Sequence, residues 1–414
     1  MYQRPRGTRD IWGIELERIE VINHWARNFF KKNGFIEIKT PTFESIELFV
    51  RSIGEYTDIV EKEMYTFEHN GKVFVLRPEG TAAVLRAVIE NKINVPARLL
   101  YIGQMFRKER PQKGRYREFL QIGIELLGES APFYDAEVID LASRFLNSIG
   151  LREFFIEVNS IGCPICRASY KNRLREFIMP KLDNLCPDCR KRFEKNFLRI
   201  FDCKNDICQQ FYQDTPKITD NLCPECSIHY QKVKEFLDKL DIKYQENKRL
   251  VRGLDYYTKT VFEFKLKELG AQDTIIAGGR YDLLMKELGG DDLSCVGWAM
   301  GVERTLLAIP ENLPEIEKNR VFSIAIMGEK YLNEFVNIRK KILDWGQIVI
   351  PVDPCASIKR QLKAANRNRA DFVIIYGDDE DSEGVYTVRD MSTGTQQKIP
   401  KEKIEKFLKD IVGR

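Results

Sequence analysis

The sequence contains no long apolar run and carries little net charge. No segment approaches the about 20 consecutive apolar residues that a membrane-spanning helix requires, and the start, MYQRPRGTRDIW, has no apolar signal segment. Because 66 lysines and arginines nearly balance 62 acidic residues, a nucleic-acid partner would have to bind local basic patches and not a uniformly positive surface. We therefore expect a cytoplasmic protein that has no membrane partner.

The missing secretory signal also bears on the ten cysteines. Eight of them crowd into residues 163–226, where three pairs have the form C-P-x-C, and this favours thiols or metal ligands over disulfides. A gap of two residues lets one turn present both sulfurs to a tetrahedral zinc ion. Structural zinc is therefore the prediction, in two four-sulfur sites that Cys203 and Cys208 would complete, and unligated reduced thiols are the alternative. The candidate ligands are Cys163, Cys166, Cys186, Cys189, Cys203, Cys208, Cys223 and Cys226. Cys295 and Cys355 lie in apolar contexts and are predicted core residues.

Length and composition predict a folded protein of several domains. At about 150 residues per domain, 414 residues suggest two or three domains, and the 43% hydrophobic and 31% charged residues give a globular composition. The first segment predicts an amphipathic helix over Ile14–Asn33 and a hairpin turn at Asn70–Gly71. A second predicted hairpin has strands at Leu99–Arg107 and Phe119–Leu127, which flank a long loop.

Two later segments depart from this strand-rich pattern. Residues 163–244 combine cysteines with helix-like stretches and look inserted, since strands return at Val261–Phe264 and Thr274–Ala277. After IPENLPEIEKNR, the strand-like runs FSIAIMG, QIVIPVD and DFVIIYG alternate with predicted helices over Tyr331–Trp345 and Ser357–Arg369. This alternation predicts a small α/β domain with mainly parallel strands.

Basic residues mark three candidate anion-binding segments. The second hairpin loop is the first of them, and its only nearby acid is Glu109. A guanidinium can hold two phosphate oxygens at once, so this loop suits a nucleoside triphosphate or an RNA backbone, although a solvated charged loop is the alternative. Arg252 in LVRGLDYYT and Arg304 in VGWAMGVERTLLAI lie in the other two, and their glycines either admit a ligand or only serve packing. The basic loop residues are Arg107, Lys108, Arg110, Lys113, Arg115 and Arg117.

Two carboxylates stand in apolar or arginine-bearing contexts that are unusual for surface acids. They are Glu79 in LRPEGTAAV and Glu125 in LQIGIELLG. Because side chains alternate along a strand, Gln121 shares a face with Glu125, and both can point into one pocket. The alternative is a buried acid that pairs with a neighbouring arginine.

These segments, in their order along the chain, resemble the class II histidine–tRNA ligase family. The resemblance covers nearly the whole length through PRGTRD, GFIEIKTPTFE, LFVRSIGEYTDIVEKEMYTF, RPEGT, FRKERPQKGRYREF, LVRGLDYYT, AGGRYD and GVER. It implies an α+β fold: an antiparallel six-stranded catalytic sheet with flanking helices, a cysteine-rich insertion and a C-terminal α/β anticodon-binding domain. The implied boundaries are 1–162 and 245–316 for the two parts of the catalytic domain, 163–244 for the insertion and 320–414 for the last domain.

The resemblance also implies an activity and its residues: ATP, used with Mg²⁺, activates L-histidine, which is then transferred to tRNA(His). Arg107 would hold the α-phosphate of ATP, Arg304 the γ-phosphate, and Arg252 both the histidine carboxylate and the α-phosphate. Negative charge that builds on the α-phosphorus explains why arginines suit these positions. Glu109 is a further expected ATP-binding residue. The expected histidine-binding residues are Glu79, Thr81 and Gln121 at the α-amino group, Glu125 and Tyr257 at the imidazole nitrogens, and Tyr256 and Tyr281 around them.

The expected macromolecular partners are tRNA and a second copy of the chain. The resemblance implies a homodimer built largely on residues 35–44. In the last domain, the stretch ASIKRQLKAANRNRA has five basic residues and no acid, and an exposed charged helix is the alternative interpretation. The expected contacts to the acceptor end of tRNA are Arg110, Gln112, Lys113 and Arg115.

One position departs from the family pattern, and two other functions compete with the ligase. Many members carry histidine where this chain has Leu120, which by alternation faces away from Gln121 and should affect only packing. A regulatory subunit of ATP phosphoribosyltransferase resembles the catalytic domain, but such regulators usually lack the terminal domain and parts of the arginine set. An RNA-binding zinc protein would need neither Glu79, Gln121 nor Tyr257.

Overall fold

The computed structural model describes residues 2–54, 57, 59–195, 197–203, 205–266, 273–309, 320–344, 347–349 and 356–412. The chain divides into two units, residues 1–314 and 315–414. Cys355, Trp345, residues 350–353 of QIVIPVD and the predicted domain end at residue 316 lie outside the described residues.

The first unit carries the large sheet and the cysteines. Its α-helices are α1 (Ile14–Lys32), α2 (Ile46–Ile53), α3 (Thr81–Glu90), α4 (Pro132–Ser148), α5 (Pro164–Ile178), α6 (Pro187–Lys195), α7 (Asp206–Tyr212), α8 (Pro224–Lys239), α9 (Leu284–Glu287) and α10 (Val302–Leu306). Its strands are β1 (Ile36–Glu37), β2 (Phe43–Ser45), β3 (Tyr65–His69), β4 (Lys72–Leu76), β5 (Ala97–Phe106), β6 (Glu118–Leu127), β7 (Phe155–Ser160), β8 (Gln245–Glu246), β9 (Thr258–Lys265), β10 (Thr274–Arg280) and β11 (Cys295–Gly301). Short turns of other helical types cover Ile59–Glu63, Met179–Asn184, Phe197–Asp202 and Ile218–Asn221.

The large sheet has the strand order β1-β5-β6-β11-β10-β9-β7-β8. Its six inner strands are antiparallel to their neighbours, which confirms the predicted six-stranded antiparallel sheet. The two-residue strands β1 and β8 add one parallel pairing at each edge. The whole sheet is therefore mixed, with an antiparallel centre.

Helix α1 covers one face of this sheet because its apolar residues recur at helical spacing. Ile22, Ala26 and Phe30 are fully buried, and the Phe30 ring lies 5.6 Å from that of Trp298 in β11. Burial of a phenylalanine of this kind contributes about 1.5–3 kcal/mol. Gly34 follows the helix with a φ of 81°, a conformation that glycine adopts without strain and that commonly ends helices. The predicted helix is confirmed.

The Asn70–Gly71 turn joins β3 to β4 as predicted. Both residues have positive φ, 51° and 72°, the combination that a two-residue turn of this hand requires. The hairpin and β2 form a separate sheet of three strands in the order β2-β4-β3. This small sheet leaves Phe43 and Phe67 half exposed, with their rings 5.9 Å apart.

A buried ion pair connects α4 to the end of β10. Asp135 and Arg280 are both fully buried, the Arg280 Nε lies 3.0 Å from Asp135 Oδ2, and His229 Nε2 of α8 lies 3.3 Å from Asp135 Oδ1. Burial by itself would raise the pKa of Asp135, but the Arg280 guanidinium and the His229 ring hold it well below its ordinary value. Arg280 of the AGGRYD motif therefore has a structural role in the core.

We expect Asp135→Asn to lower the free energy of unfolding by about 3 kcal/mol, because it removes the main counter-ion of the buried Arg280 and leaves only Asp282, at 3.2 Å. The pKa of Asp135 is depressed on folding, so its stabilisation is complete above the ordinary aspartate pKa and is lost as the pH falls towards the folded value. Denaturant unfolding at neutral and acidic pH measures both effects. Asp140→Asn on the same helix is the control, since Asp140 pairs with the exposed Arg144. Equal losses in both variants would contradict the prediction.

Residues 163–244, which we call the insertion, are helical. The insertion contains α5 to α8 and three short turns, and the chain re-enters the large sheet at β8. None of the helices in the described ranges, here or elsewhere, has the length and apolar character needed to cross a bilayer.

The second unit is a five-stranded sheet with helices. Its strands are β12 (Val321–Ile326), β13 (Ile348–Val349), β14 (Phe372–Tyr376), β15 (Val385–Asp390) and β16 (Gln396–Pro400), and its α-helices are α11 (Leu332–Asp344), α12 (Ile358–Arg367), α13 (Asp378–Glu383) and α14 (Ile404–Val412). Single turns cover Glu329–Tyr331 and Lys401–Lys403. The order β13-β12-β14-β15-β16 has two parallel and two antiparallel pairings. The expectation of mainly parallel strands was therefore wrong for β15 and β16, the two strands that a hairpin turn at Gly394 connects.

Candidate active site

A polar chamber with a volume of about 250 Å³ lies over the centre of the large sheet. The loop between β5 and β6, the segment before β9 and the start of α10 surround it. Its polar lining includes Glu79, Thr81, Arg107, Glu109, Arg115, Gln121, Arg252, Tyr256, Tyr257, Glu263, Glu303 and Arg304. The structure thus brings together most of the site residues that the sequence predicts, although they come from segments far apart in the chain.

The three predicted catalytic arginines all line this chamber. Arg107 follows β5 and its Nε donates to Pro78 O at 2.8 Å, while Arg304 Nη1 in α10 donates to Thr274 O at 2.9 Å. Arg252 pairs with Glu263 of β9. Burial and then the neighbouring Arg107 lower the pKa of Arg304. Guanidinium groups that repel one another in this way form a site that attracts anions.

A fourth arginine, Arg115, also turns into the chamber. Burial, followed by the charges of Arg304 and Arg107, lowers its pKa to about 10. It pairs with Glu109, which also lies 3.6 Å from Arg107 Nη1. Arg115 therefore differs from the other residues expected to contact tRNA. Those residues, Arg110, Gln112 and Lys113, are exposed on the loop.

Gln121 and Glu125 lie on the same face of β6, as alternation predicts. Leu120, in contrast, packs in the core on the opposite face. Gln121 is 8% exposed and lines the chamber, yet its Oε1 has no hydrogen-bond partner among the described residues. A buried carbonyl oxygen is costly without a donor. The chamber is consequently suited to a ligand that presents an N–H group to Gln121.

Glu125 lies beneath the floor of the chamber and is fully buried. Its carboxylate accepts hydrogen bonds from Thr81 Oγ1, at 2.7 Å, and from the Tyr281 hydroxyl. Burial raises the pKa of Glu125 to about 8, because an apolar environment disfavours the charged form. Tyr281 therefore stands behind Glu125, while Tyr257 reaches the chamber itself. The Tyr256 ring contacts both, 4.7 Å from the Tyr257 ring and 5.6 Å from the Tyr281 ring.

Glu79 accepts hydrogen bonds from the first backbone N–H groups of α3. Its two carboxylate oxygens lie 2.7 Å from Thr81 N and 2.8 Å from Ala82 N. A carboxylate at a helix N-terminus is favoured by the helix dipole, and this bonding fixes the side chain at the chamber wall. The alternative interpretation, a buried acid that pairs with a neighbouring arginine, does not describe its main contact.

Sequence reasoning did not identify Tyr101 of β5, whose side chain is buried. Its ring explains two glycines in quoted motifs. A Cβ at Gly80 or at Gly123 would come within 2.3 Å of this ring, so no larger residue fits. The glycines of RPEGT and QIGIE were the sequence features that could have indicated a bulky neighbouring side chain.

Arg9 of the opening motif was also not assigned a place. Its guanidinium lies 4.2 Å from the centre of the Tyr116 ring, and its Nη2 lies 3.8 Å from Glu303 Oε1. Glu303 in turn accepts from Leu120 N at 3.0 Å. The opening segment therefore contacts both the basic loop and α10 beside the chamber.

The eight predicted metal ligands form two separate clusters, each with its ligand atoms within 4.8 Å of one another. Cluster A, as we name it, contains Cys163, Cys166, Cys223 and Cys226, and cluster B contains Cys186, Cys189, Cys203 and Cys208. All eight are free cysteines, and so is the buried Cys295. Each cluster offers the four sulfurs that structural zinc prefers.

Comparison with known proteins gives consistent matches over the whole chain. The family model described as Histidyl-tRNA synthetase matches residues 7–164 and 215–305, and the one described as Anticodon binding domain matches residues 322–411. A relative from Thermosipho melanesiensis named Histidine--tRNA ligase is 47% identical, across 98% of this chain and 97% of the relative; one of the same name from Thermosipho africanus is 46% identical, across 97% of each. The apo S. aureus histidyl-tRNA synthetase structure is similar with a TM-score of 0.83 and 34% identity, covering 99% of this chain and 100% of that chain.

Proposed function

Because the chain belongs to the histidyl-tRNA synthetase family, we propose that its chamber activates L-histidine with ATP and then transfers histidine to the 3′ end of tRNA(His). The observation that carries this proposal is the meeting of Arg107, Arg252 and Arg304 with Gln121 and the Glu125 network around one cavity. Such a cavity can hold a polyphosphate and a small amino acid side by side.

In the first step a carboxylate oxygen of histidine attacks the α-phosphorus of ATP, which enters as its magnesium complex. The bond to the bridging oxygen of the β-phosphate breaks, and histidyl-adenylate and pyrophosphate form. Arg107 is proposed to contact the α-phosphate, Arg304 the γ-phosphate, and Arg252 the carboxylate and the α-phosphate. Prepositioned guanidinium groups stabilise the growing charge more than water does, since they need no reorganisation. Glu109 is proposed to line the ATP subsite through its contacts with Arg107 and Arg115.

Histidine is proposed to lie over β6. The free Gln121 Oε1, together with Glu79 and Thr81, suits the N–H donors of an α-amino group. Glu125 and Tyr257 are proposed to bind the two imidazole nitrogens, and Tyr256 and Tyr281 to support them. An apolar amino acid would leave these groups unpaired, and sites of this kind reject such analogues by on the order of ten-thousandfold.

Two basic surfaces are proposed to bind tRNA. The exposed Arg110, Gln112 and Lys113 beside the chamber suit its acceptor end. In the second unit, helix α12 buries Gln361 and Ala365 and turns its charged side chains outward. The exposed basic residues on and after this helix are Lys359, Arg360, Lys363, Arg367 and Arg369.

We further propose that the chain is a cytoplasmic homodimer whose cysteine clusters hold structural zinc. Ile36 is 71% and Phe43 52% exposed, so a partner that covers residues 35–44 would bury apolar surface. The free thiols suit a reducing compartment. Neither cluster contributes a residue to the chamber lining, so zinc there would not take part in the reaction.

The test is histidine-dependent exchange of labelled pyrophosphate into ATP by the purified chain. We expect exchange with histidine and none with other amino acids, because adenylate formation is reversible and histidine-specific. Aminoacylation of tRNA(His) should follow the same preference. A correctly folded chain that shows no exchange would contradict the proposal and would favour a regulatory relative that binds histidine without activating it.

A further inference from the structure

The cysteine clusters bring four sulfurs each within 4.8 Å of one another, close enough to share one zinc ion. A tetrahedron of sulfurs at about 2.3 Å from zinc has sulfur-to-sulfur edges of about 3.8 Å. The measured separations are 3.6 Å for Cys163 to Cys166, 3.9 Å for Cys163 to Cys223, and 3.8 Å for Cys186 to Cys203. A disulfide would need about 2.05 Å. Backbone N–H groups point at the sulfurs in both clusters, as expected for thiolates: the nitrogen of Cys223 lies 3.1 Å from Cys166 Sγ, and that of Cys186 lies 3.3 Å from Cys208 Sγ.

Each cluster adjoins a helical segment that carries an arginine, and both arginines contact the same loop. In cluster A, Cys163 and Cys223 directly precede α5 and α8, so a shared ion would fasten the first turns of both helices together. Arg167 lies in the first turn of α5. In cluster B, Cys203 directly follows the Phe197–Asp202 turn, and Arg199 lies in that turn.

The two arginines donate to the backbone of residues 251–257, the segment before β9 that carries Arg252 and Tyr257. Arg167 Nη1 lies 3.5 Å from Asp255 O and 3.3 Å from Tyr257 O. Arg199 Nη1 lies 2.9 Å from Gly253 O. The segment has neither helix nor strand structure, so its carbonyl groups depend on donors from outside it.

Apolar packing and polar contacts both hold this segment against the insertion. Tyr256 and Tyr257 share an apolar core cluster with Tyr170 and Leu174 of α5. Beside this cluster, a cavity of about 370 Å³ lies between the segment and the insertion, and Arg167, Arg199, Arg252 and Asp255 are among its lining residues. The hydrogen bonds of Arg167 and Arg199 therefore help to position the part of the segment that borders the cavity.

We propose that two zinc ions, one in each cysteine cluster, hold Arg167 and Arg199 in place as positioning residues for the histidine pocket. Cluster A acts on Tyr257 through Arg167, and cluster B acts on the residue before Gly253, which is Arg252, through Arg199. The insertion thereby controls the affinity for histidine without contacting the amino acid. The kinetic part of this inference rests on the proposed function, whereas the expected zinc content of the chain does not.

The first experiment measures zinc in the full chain, purified without chelator, by elemental analysis. We expect two zinc ions per chain, one in Cys166→Ser, one in Cys208→Ser, and two in the control Cys295→Ser. Cobalt substituted for zinc should give the intense absorption of thiolate-to-metal charge transfer. Less than a tenth of a zinc per chain would overturn the metal assignment, whether or not the chain activates histidine.

The second experiment keeps both clusters intact. We expect Arg167→Ala to raise the KM for histidine about tenfold in pyrophosphate exchange, since a lost charge-assisted hydrogen bond costs on this order, with the KM for ATP unchanged and two zinc ions retained. Arg167→Lys should recover part of the loss. Arg173→Ala is the matched control, because Arg173 on the same helix contacts Asn221 within the insertion. An unchanged KM for histidine in Arg167→Ala would overturn the positioning role, and absence of exchange in the unmodified chain would instead overturn the proposed function.

Discussion

Arg252→Ala is expected to reduce the rate of histidyl-adenylate formation by on the order of a hundredfold to a thousandfold, the usual effect of removing one preorganised donor to a developing negative charge. The charge on the α-phosphate and the entering carboxylate grows in the transition state, so kcat should fall more than the KM values change. Single-turnover formation of the adenylate measures this step directly.

The fold should tolerate this substitution. Glu263, the partner of Arg252, keeps Thr274 Oγ1 at 2.9 Å and Lys265 Nζ at 3.4 Å, so its carboxylate is not left without hydrogen bonds. Arg144→Ala removes an equivalent charge from an exposed ion pair and should leave the rate unchanged. Near-normal turnover of Arg252→Ala would show that charge stabilisation lies elsewhere in the chamber.

Glu125→Gln is expected to have opposite effects on activity and on stability. Burial raises the pKa of Glu125 to about 8, so its ionisation in the empty site opposes folding. When folding raises the pKa of a carboxyl group, the free energy of unfolding falls as the pH rises above the ordinary pKa of that group. The loss is complete above the folded-state pKa, here about 8. Glutamine avoids this cost, so the variant should gain thermal stability over the unmodified chain as the pH rises from about 6 to about 9.

The same variant should lower kcat/KM for histidine by about a hundredfold or more, because an amide cannot replace the charged acceptor proposed for the imidazole. Glu118→Gln is the matched control, since Glu118 lies on the same strand but is exposed. Calorimetric unfolding at both pH values and pyrophosphate exchange measure the two effects. A variant that loses stability at high pH, or that keeps normal kcat/KM, would contradict this account of the buried carboxylate.

Local patterns predicted those parts of the fold whose cause is local. The helical spacing of Ile22, Ala26 and Phe30 identified α1, and the Asn70–Gly71 pair identified its hairpin. Alternation along β6 placed Gln121 and Glu125 on one face. The hairpin of β15 and β16 was missed, although VYTVRD and the glycine at position 394 carry the usual strand and turn signals.

The parts of the site that depend on distant segments were harder to predict. Arg115 looked like any other cation in a basic loop, and only the folded loop shows that it turns inward while Arg110 and Lys113 stay exposed. Tyr101 has nothing unusual beside it in the sequence, because the glycines that make room for its ring lie at positions 80 and 123. The sequence predicts two four-sulfur sites, but which cysteines share each site is a property of the fold, since several combinations satisfy the same spacing.

The short edge strands of the large sheet limit the number of unpaired backbone N–H and C=O groups at its borders. A long, flat sheet edge is a template for unrelated strands and for aggregates. Here β1 and β8 cover the ends of the antiparallel core with only two residues each, and both carry a glutamate that is paired, Glu37 with Arg27 and Glu246 with Lys234. A strand from another molecule that paired at either border would gain very few backbone hydrogen bonds and would disturb an ion pair. The two borders therefore leave few open backbone groups for unrelated strands, which keeps any pairing of chains at β1 dependent on side-chain contacts.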